Sequence, residues 1–82
     1  MPKLNKISLV FAQYGIKGNK ISEALKKKEE TISNWRNNKS QPSLLTLYEL
    51  ADAADVEPAE FLLSLQEYRA LKKKSSKEED LQ

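Results

Sequence analysis

The sequence predicts an all-α fold on three observations. Apolar residues recur at three- and four-residue intervals through five successive segments. No stretch alternates apolar and polar side chains with the period of two that marks a half-buried strand. Glycine occurs only at Gly15 and Gly18 and proline only at Pro2, Pro42 and Pro58, so breaks in the chain are few and each carries meaning.

The elements follow in order. Ile7, Val10, Phe11 and Tyr14 lie at helical spacing ahead of Gly15, which suits the left-handed conformation that ends a helix. Asn19 is the expected cap of a second, short helix carrying Ile21, Ala24 and Leu25. A third is expected from about Lys28 to Asn37, with Ile32 and Trp35 one turn apart on its inner side. Ser43, after Pro42, is the expected N-cap of a fourth helix whose apolar residues are Leu44, Leu47, Tyr48, Leu50, Ala51 and Ala54. Pro58 suits the first turn of a fifth, continued by Phe61, Leu62, Leu65 and Tyr68. From Lys72 the apolar period is lost. The expectation is therefore one domain over residues 1–71 and a charged, solvated tail over 72–82.

Composition narrows what such a domain can do. At 82 residues and 39% apolar content the core is small, which makes help from a partner plausible. Cysteine and histidine are absent, which removes disulfides, thiolate zinc sites and the commonest general base, so no enzyme, cofactor or metal is expected. No apolar run approaches a membrane span or the core of a signal peptide, and a cytoplasmic location is expected.

The net charge of +2 conceals segregation. Residues 1–42 hold nine Lys or Arg against Glu23, Glu29 and Glu30, whereas residues 43–68 hold six carboxylates and no cation. A cationic end and an anionic end orient a molecule in the field of a polyanion.

The cationic end also carries hydrogen-bonding chemistry that a core does not use. On a wheel of about 100° per residue, with Ile32 and Trp35 pointing inward, Glu30, Ser33, Asn34 and Asn37 gather on the opposite face. Asn matches the two-point edge of adenine and Glu accepts from the amino group of cytosine. Lys26, Lys27, Lys28, Arg36 and Lys39 surround this face, with Asn38, Ser40 and Gln41 suited to phosphate oxygens. Glu29 and Glu30 equally suit the positive end of the helix dipole without touching a base.

From about Lys6 to Leu63 the sequence resembles the Cro and phage-repressor type of helix-turn-helix domain, found in XRE-like transcriptional regulators. The matching segments are YGIKGNKISEAL, ETISNW and NNKSQPSLLTLYELADAADVEPAEFL, with Trp35, Lys39 and the Gln41-Pro42-Ser43 run before a leucine-rich helix as the most specific part. The resemblance implies a five-helix DNA-binding domain whose recognition helix enters the major groove of double-stranded DNA. It implies base reading by Lys28, Glu29, Glu30, Thr31, Ser33 and Asn34. It implies backbone contacts by Gly18, Asn19, Lys27, Arg36, Asn37, Asn38, Lys39 and Ser40, with Trp35 and Ile32 as core. The sequence departs from the family pattern at Gly18, where a glutamine often stands, at Lys26, where a glycine is usual, and in placing acidic Glu29 and Glu30 near phosphates.

One such domain covers little DNA, so a homodimer is expected, with Phe61, Leu62, Leu63 and Leu65 as its seam and Leu9 and Phe11 as further exposed apolar surface. No small-molecule effector is evident. The alternative is an interaction module or antitoxin on the same fold, binding a basic protein through the acidic face of the fourth and fifth helices or the mixed face of the third.

Overall fold

The computed structural model describes the backbone of residues 3–79 and the side chains as far as Lys73. Its helices are α1 (Ile7–Tyr14), α2 (Gly18–Leu25), α3 (Glu29–Arg36), α4 (Leu44–Ala54) and α5 (Leu65–Glu79), with a single 3₁₀ turn (Pro58–Phe61) ahead of α5. No strand occurs among the described residues; the extended backbone on either side meets in one isolated antiparallel bridge, Asn5 to Leu62.

Left-handed residues end α1, α2 and α4. Gly15 closes α1 at φ 66°, Lys26 closes α2 at φ 55° and Asp55 closes α4 at φ 56°. After α2 the Lys27 N–H donates to the Ser22 carbonyl and the Lys26 N–H to Glu23, the pair of bonds that satisfies a helix C-terminus in the Schellman pattern. Ser43 caps α4 as expected, its Oγ accepting from the Thr46 N–H at 3.1 Å.

Ile7, Val10, Phe11, Ile21, Ile32, Trp35, Leu47, Leu50, Ala51, Val56 and Phe61 form one core, with Ile16, Leu25 and Ala54 packed against it. At its centre the rings of Phe11 and Phe61 meet edge to face, centroids 6.5 Å apart. Helix α2 packs on α3 and α4, α1 on α3, and the 3₁₀ turn on both α1 and α4. Burial of Trp35 and Ile32 beneath α3 agrees with the sequence expectation.

Several expectations are corrected. Asn19 does not cap α2; Lys17 stands at that position in extended conformation, and Asn19 lies one residue inside the helix. The expected fifth helix is two elements. Phe61 turns fully into the core, Leu62 goes extended at φ −110° and ψ 154°, and the Lys6 N–H takes the Phe61 carbonyl at 2.7 Å. A new helix then starts behind Ser64, whose Oγ accepts from the Glu67 N–H while the Glu67 carboxylate accepts from the Ser64 N–H. Phe61 and Phe11, expected in part at an exposed seam, are both core residues. Of the apolar residues expected on α4, Leu47, Leu50 and Ala51 are buried whereas Leu44 and Tyr48 are exposed. Helix α5 continues to Glu79, and the part of the tail expectation on residues 80–82 lies outside the described residues.

Candidate nucleic-acid interface

Helix α3 owes its exposure to its neighbours. Ile32 and Trp35 anchor it inward against α1 and α2, and the compact Lys26–Lys28 turn brings its N-terminus to the surface. The outward side then carries Glu29, Glu30 and Ser33 fully exposed, with Thr31 and Asn34 half-buried along its edges. Asn37 continues the ridge and donates from Nδ2 to the Ser33 Oγ at 3.3 Å, one turn earlier. Of the residues expected to read bases, Glu29, Glu30 and Ser33 lie on this side, Thr31 and Asn34 border it, and Lys28 stands at the N-cap.

Cations stand at both ends of this ridge. Lys26, Lys27 and Lys28 form the turn before α3, and Arg36 and Lys39 stand at its far end. Among the described residues none of these five is ion-paired, so their charge is available to an external anion. The two glutamates of the first turn sit where the helix dipole favours them, and no side chain caps this helix N-terminus.

The start of α2 is brought against the end of α3, uniting two regions expected to contact phosphate. A methyl group on Gly18 would lie 3.6 Å from Arg36 Nη1 and 3.9 Å from Ile32 Cγ2, ordinary van der Waals contact. The Arg36 guanidinium also lies over the Phe11 ring, 5.5 Å from its centroid, so an exposed residue's cation is braced against a core aromatic. Where the family often has glutamine, this chain places an arginine from the neighbouring helix beside a bare glycine.

Asn38 is corrected. Its side chain is buried at 6% exposure, at a left-handed φ of 57°, with its Oδ1 accepting from the Asn5 N–H at 3.0 Å. Those contacts commit the Asn38 carbonyl oxygen and one amide N–H to the inside of the domain. Gln41 is likewise half-buried and donates to Asn38 Oδ1 at 3.0 Å. Lys39 and Ser40 do face solvent, and their N–H groups bond to the Asn34 carbonyl at 2.8 and 3.3 Å. Sequence reasoning passed over Asn5, which joins this network; its one legible signal was a short amide side chain two residues before the first core position, where such residues cap helices.

A second surface differs in chemistry. Tyr48, Asp52, Asp55, Glu57 and Glu60 line a shallow groove of about 500 Å³ between α4 and the 3₁₀ turn. Tyr14 donates to the Glu60 carboxylate at 2.6 Å, and that bond raises the phenol's pKa above its ordinary value. No helix among the described residues is long and apolar enough to cross a membrane.

Comparison with known proteins agrees with this geometry. A family model described as helix-turn-helix matches residues 10–61, which takes in α1 from Val10 through the 3₁₀ turn. A crystal structure described as that of a "putative DNA-binding protein from Bacteroides fragilis" is 38% identical, with a TM-score of 0.70 over 73% of this chain and 97% of that one. No curated protein matches the chain. With its anchored second and third helices, its tight turn between them and the family match over most of its length, the chain belongs to the helix-turn-helix family, of the Cro and phage-repressor type that its sequence resembles.

Proposed function

We propose that the chain is a sequence-specific regulator of transcription that lays α3 in the major groove of duplex DNA and acts as a homodimer. The observation that carries this reading is the outward ridge of α3, rich in hydrogen-bonding groups and flanked at both ends by cations that form no ion pair among the described residues. An α-helix with its side chains is about 10–12 Å across, which the roughly 12 Å width of the major groove admits. Membership of the helix-turn-helix family and the likeness to a protein described as DNA-binding support it.

Lys28, Glu29, Glu30, Thr31, Ser33 and Asn34 would meet base edges. Lys27, Arg36, Asn37, Lys39 and Ser40, with the backbone at Gly18 and Asn19, would meet the phosphates on either side. A dimer is supported by the exposed apolar residues Leu4, Leu62, Leu65 and Tyr68, which lie together where α5 leaves the bundle.

The test is a titration of the purified chain with duplexes selected from a random library. Affinity is expected to fall with salt, the log–log slope near −0.9 for each phosphate neutralised. Replacing Asn34 with alanine is expected to relax sequence preference at one position, whereas Lys39→Ala should weaken all duplexes alike and flatten the slope by about one. A chain that retains no duplex in dilute buffer overturns the proposal.

The acidic groove beside α4 favours a second reading, in which the same fold holds a basic protein. Under that reading Asn34→Ala and Lys39→Ala leave a copurifying partner in place while removing nothing from DNA.

A further inference from the structure

We propose that Asn5, Asn38 and Gln41 form a latch that positions the phosphate-gripping loop, making the segment before α1 part of the DNA-binding apparatus; the inference rests on the DNA reading above.

The three amides are linked in a closed set. Asn5 donates its N–H to Asn38 Oδ1 at 3.0 Å, and Asn38 Nδ2 returns a bond to the Asn5 carbonyl at 3.3 Å. Asn5 Nδ2 donates to the Trp35 carbonyl at 2.9 Å and to Gln41 Oε1 at 2.6 Å, while Gln41 Nε2 donates to Asn38 Oδ1 at 3.0 Å. The remaining Asn5 oxygen accepts from the Ile7 N–H at 3.0 Å. Each buried side-chain polar atom among the described residues has at least one partner.

Its position is what gives it a consequence for binding. One side chain, Asn5, ties the start of α1 to the last turn of the recognition helix and to the loop beyond it. That loop is held from its other side by the Asn34 carbonyl, which accepts the Lys39 and Ser40 N–H groups. Lys39 and Ser40, exposed and expected at phosphates, are thus suspended between a base-reading residue and the latch. A loop held by linked amides, Asn5 and Asn38 buried and Gln41 at the half-buried edge, keeps its donors at a fixed distance from α3, which two-sided contact with DNA requires. Apolar side chains could fill the same space without specifying where the loop stands.

Asn38→Gly tests the latch, since glycine adopts φ 57° freely and only the amide is lost. Gln41→Ala, at the half-buried edge, is the second variant. Each is measured beside the wild type for cooperative thermal unfolding, for affinity toward the duplex the wild type selects, and in combination with Lys39→Ala. The expected result is a cooperative melt in both, an affinity loss of about tenfold in Asn38→Gly, and a smaller cost of Lys39→Ala in that background than in the wild type. Non-additivity is the decisive readout, because a residue that only adds stability leaves the Lys39 contact at full strength. Wild-type affinity in both variants, or strictly additive losses, overturns the latch alone. A wild-type chain that binds no duplex overturns the DNA reading and the latch together.

Discussion

Among the described residues three other than glycine sit at positive φ, and they have different chemistry for the same geometry. Asn38 and Asp55 belong to the types that tolerate the left-handed region through local hydrogen bonding; Lys26 does not. Its backbone nevertheless closes α2 and turns the chain into the recognition helix, so the cost is carried by the folded state. Lys26→Gly is therefore expected to stabilise the domain by about 1 kcal/mol, a rise in melting temperature of roughly 4–8 °C for a domain of this size. A calorimetric scan in which the variant melts at or below the wild type would refute the strain. The same residue shows how much of the site was legible: a lysine run between two apolar periods announces a turn and a cationic surface, but not which lysine bends the backbone.

At the scale of elements, the two halves of the molecule end differently. Helices α1 to α4 hold one another through shared core residues, whereas α5 is fixed chiefly at its first turn. There the Ser64–Glu67 capping box closes the helix and Lys6 pairs with the Glu67 carboxylate at 3.1 Å. The Ser64 N–H, then Lys6, hold the Glu67 carboxyl below the ordinary glutamate range. A carboxyl depressed in the folded state contributes stability that is fully present above the unfolded value, about 4.3, and is lost as pH falls through the lower folded value. Helicity of α5 is accordingly expected to weaken in acid, below about pH 4. Glu67→Gln keeps an acceptor for the capping box but removes the titrating group. Circular dichroism from neutral to acidic pH checks this: the wild type loses signal that the variant does not, and parallel curves would refute it. The spacing Ser64-Leu65-Gln66-Glu67 was a readable helix start in the sequence, overshadowed by the apolar residues on either side of Ser64, Phe61 to Leu63 and Leu65.

For the whole molecule, the long axis is 45 Å against 22 Å in the other two directions, which reflects α5 leaving the bundle. Leu65 at 61% exposure and Tyr68 at 44% lie one turn apart on that helix, beside Leu62 at 43%. The proposed dimer uses this stripe, and a two-fold assembly would set two recognition helices about 34 Å apart, one turn of duplex. Leu65→Asp combined with Tyr68→Asp is expected to yield a monomer by sedimentation equilibrium and to lose the paired footprint at concentrations where the wild type protects both half-sites. A wild type that sediments as a monomer and protects a single half-site would remove the dimer from the account.

The sequence by itself determined that the chain is helical, where its first four helices lie, that Ile32 and Trp35 face inward, and that polar and cationic groups crowd the opposite side. These follow from periodicity and capping, which act over a few residues and are written in order along the chain. Tertiary structure alone decided that Asn38 turns inward, that Asn5 reaches it across 33 positions, that Arg36 lies on Phe11 beside Gly18, and that Phe61 breaks the fifth helix to complete the core. Each of those depends on what distant segments leave unfilled or unbonded when they meet, and a buried amide or a bare glycine has no local sign of which partner it will find.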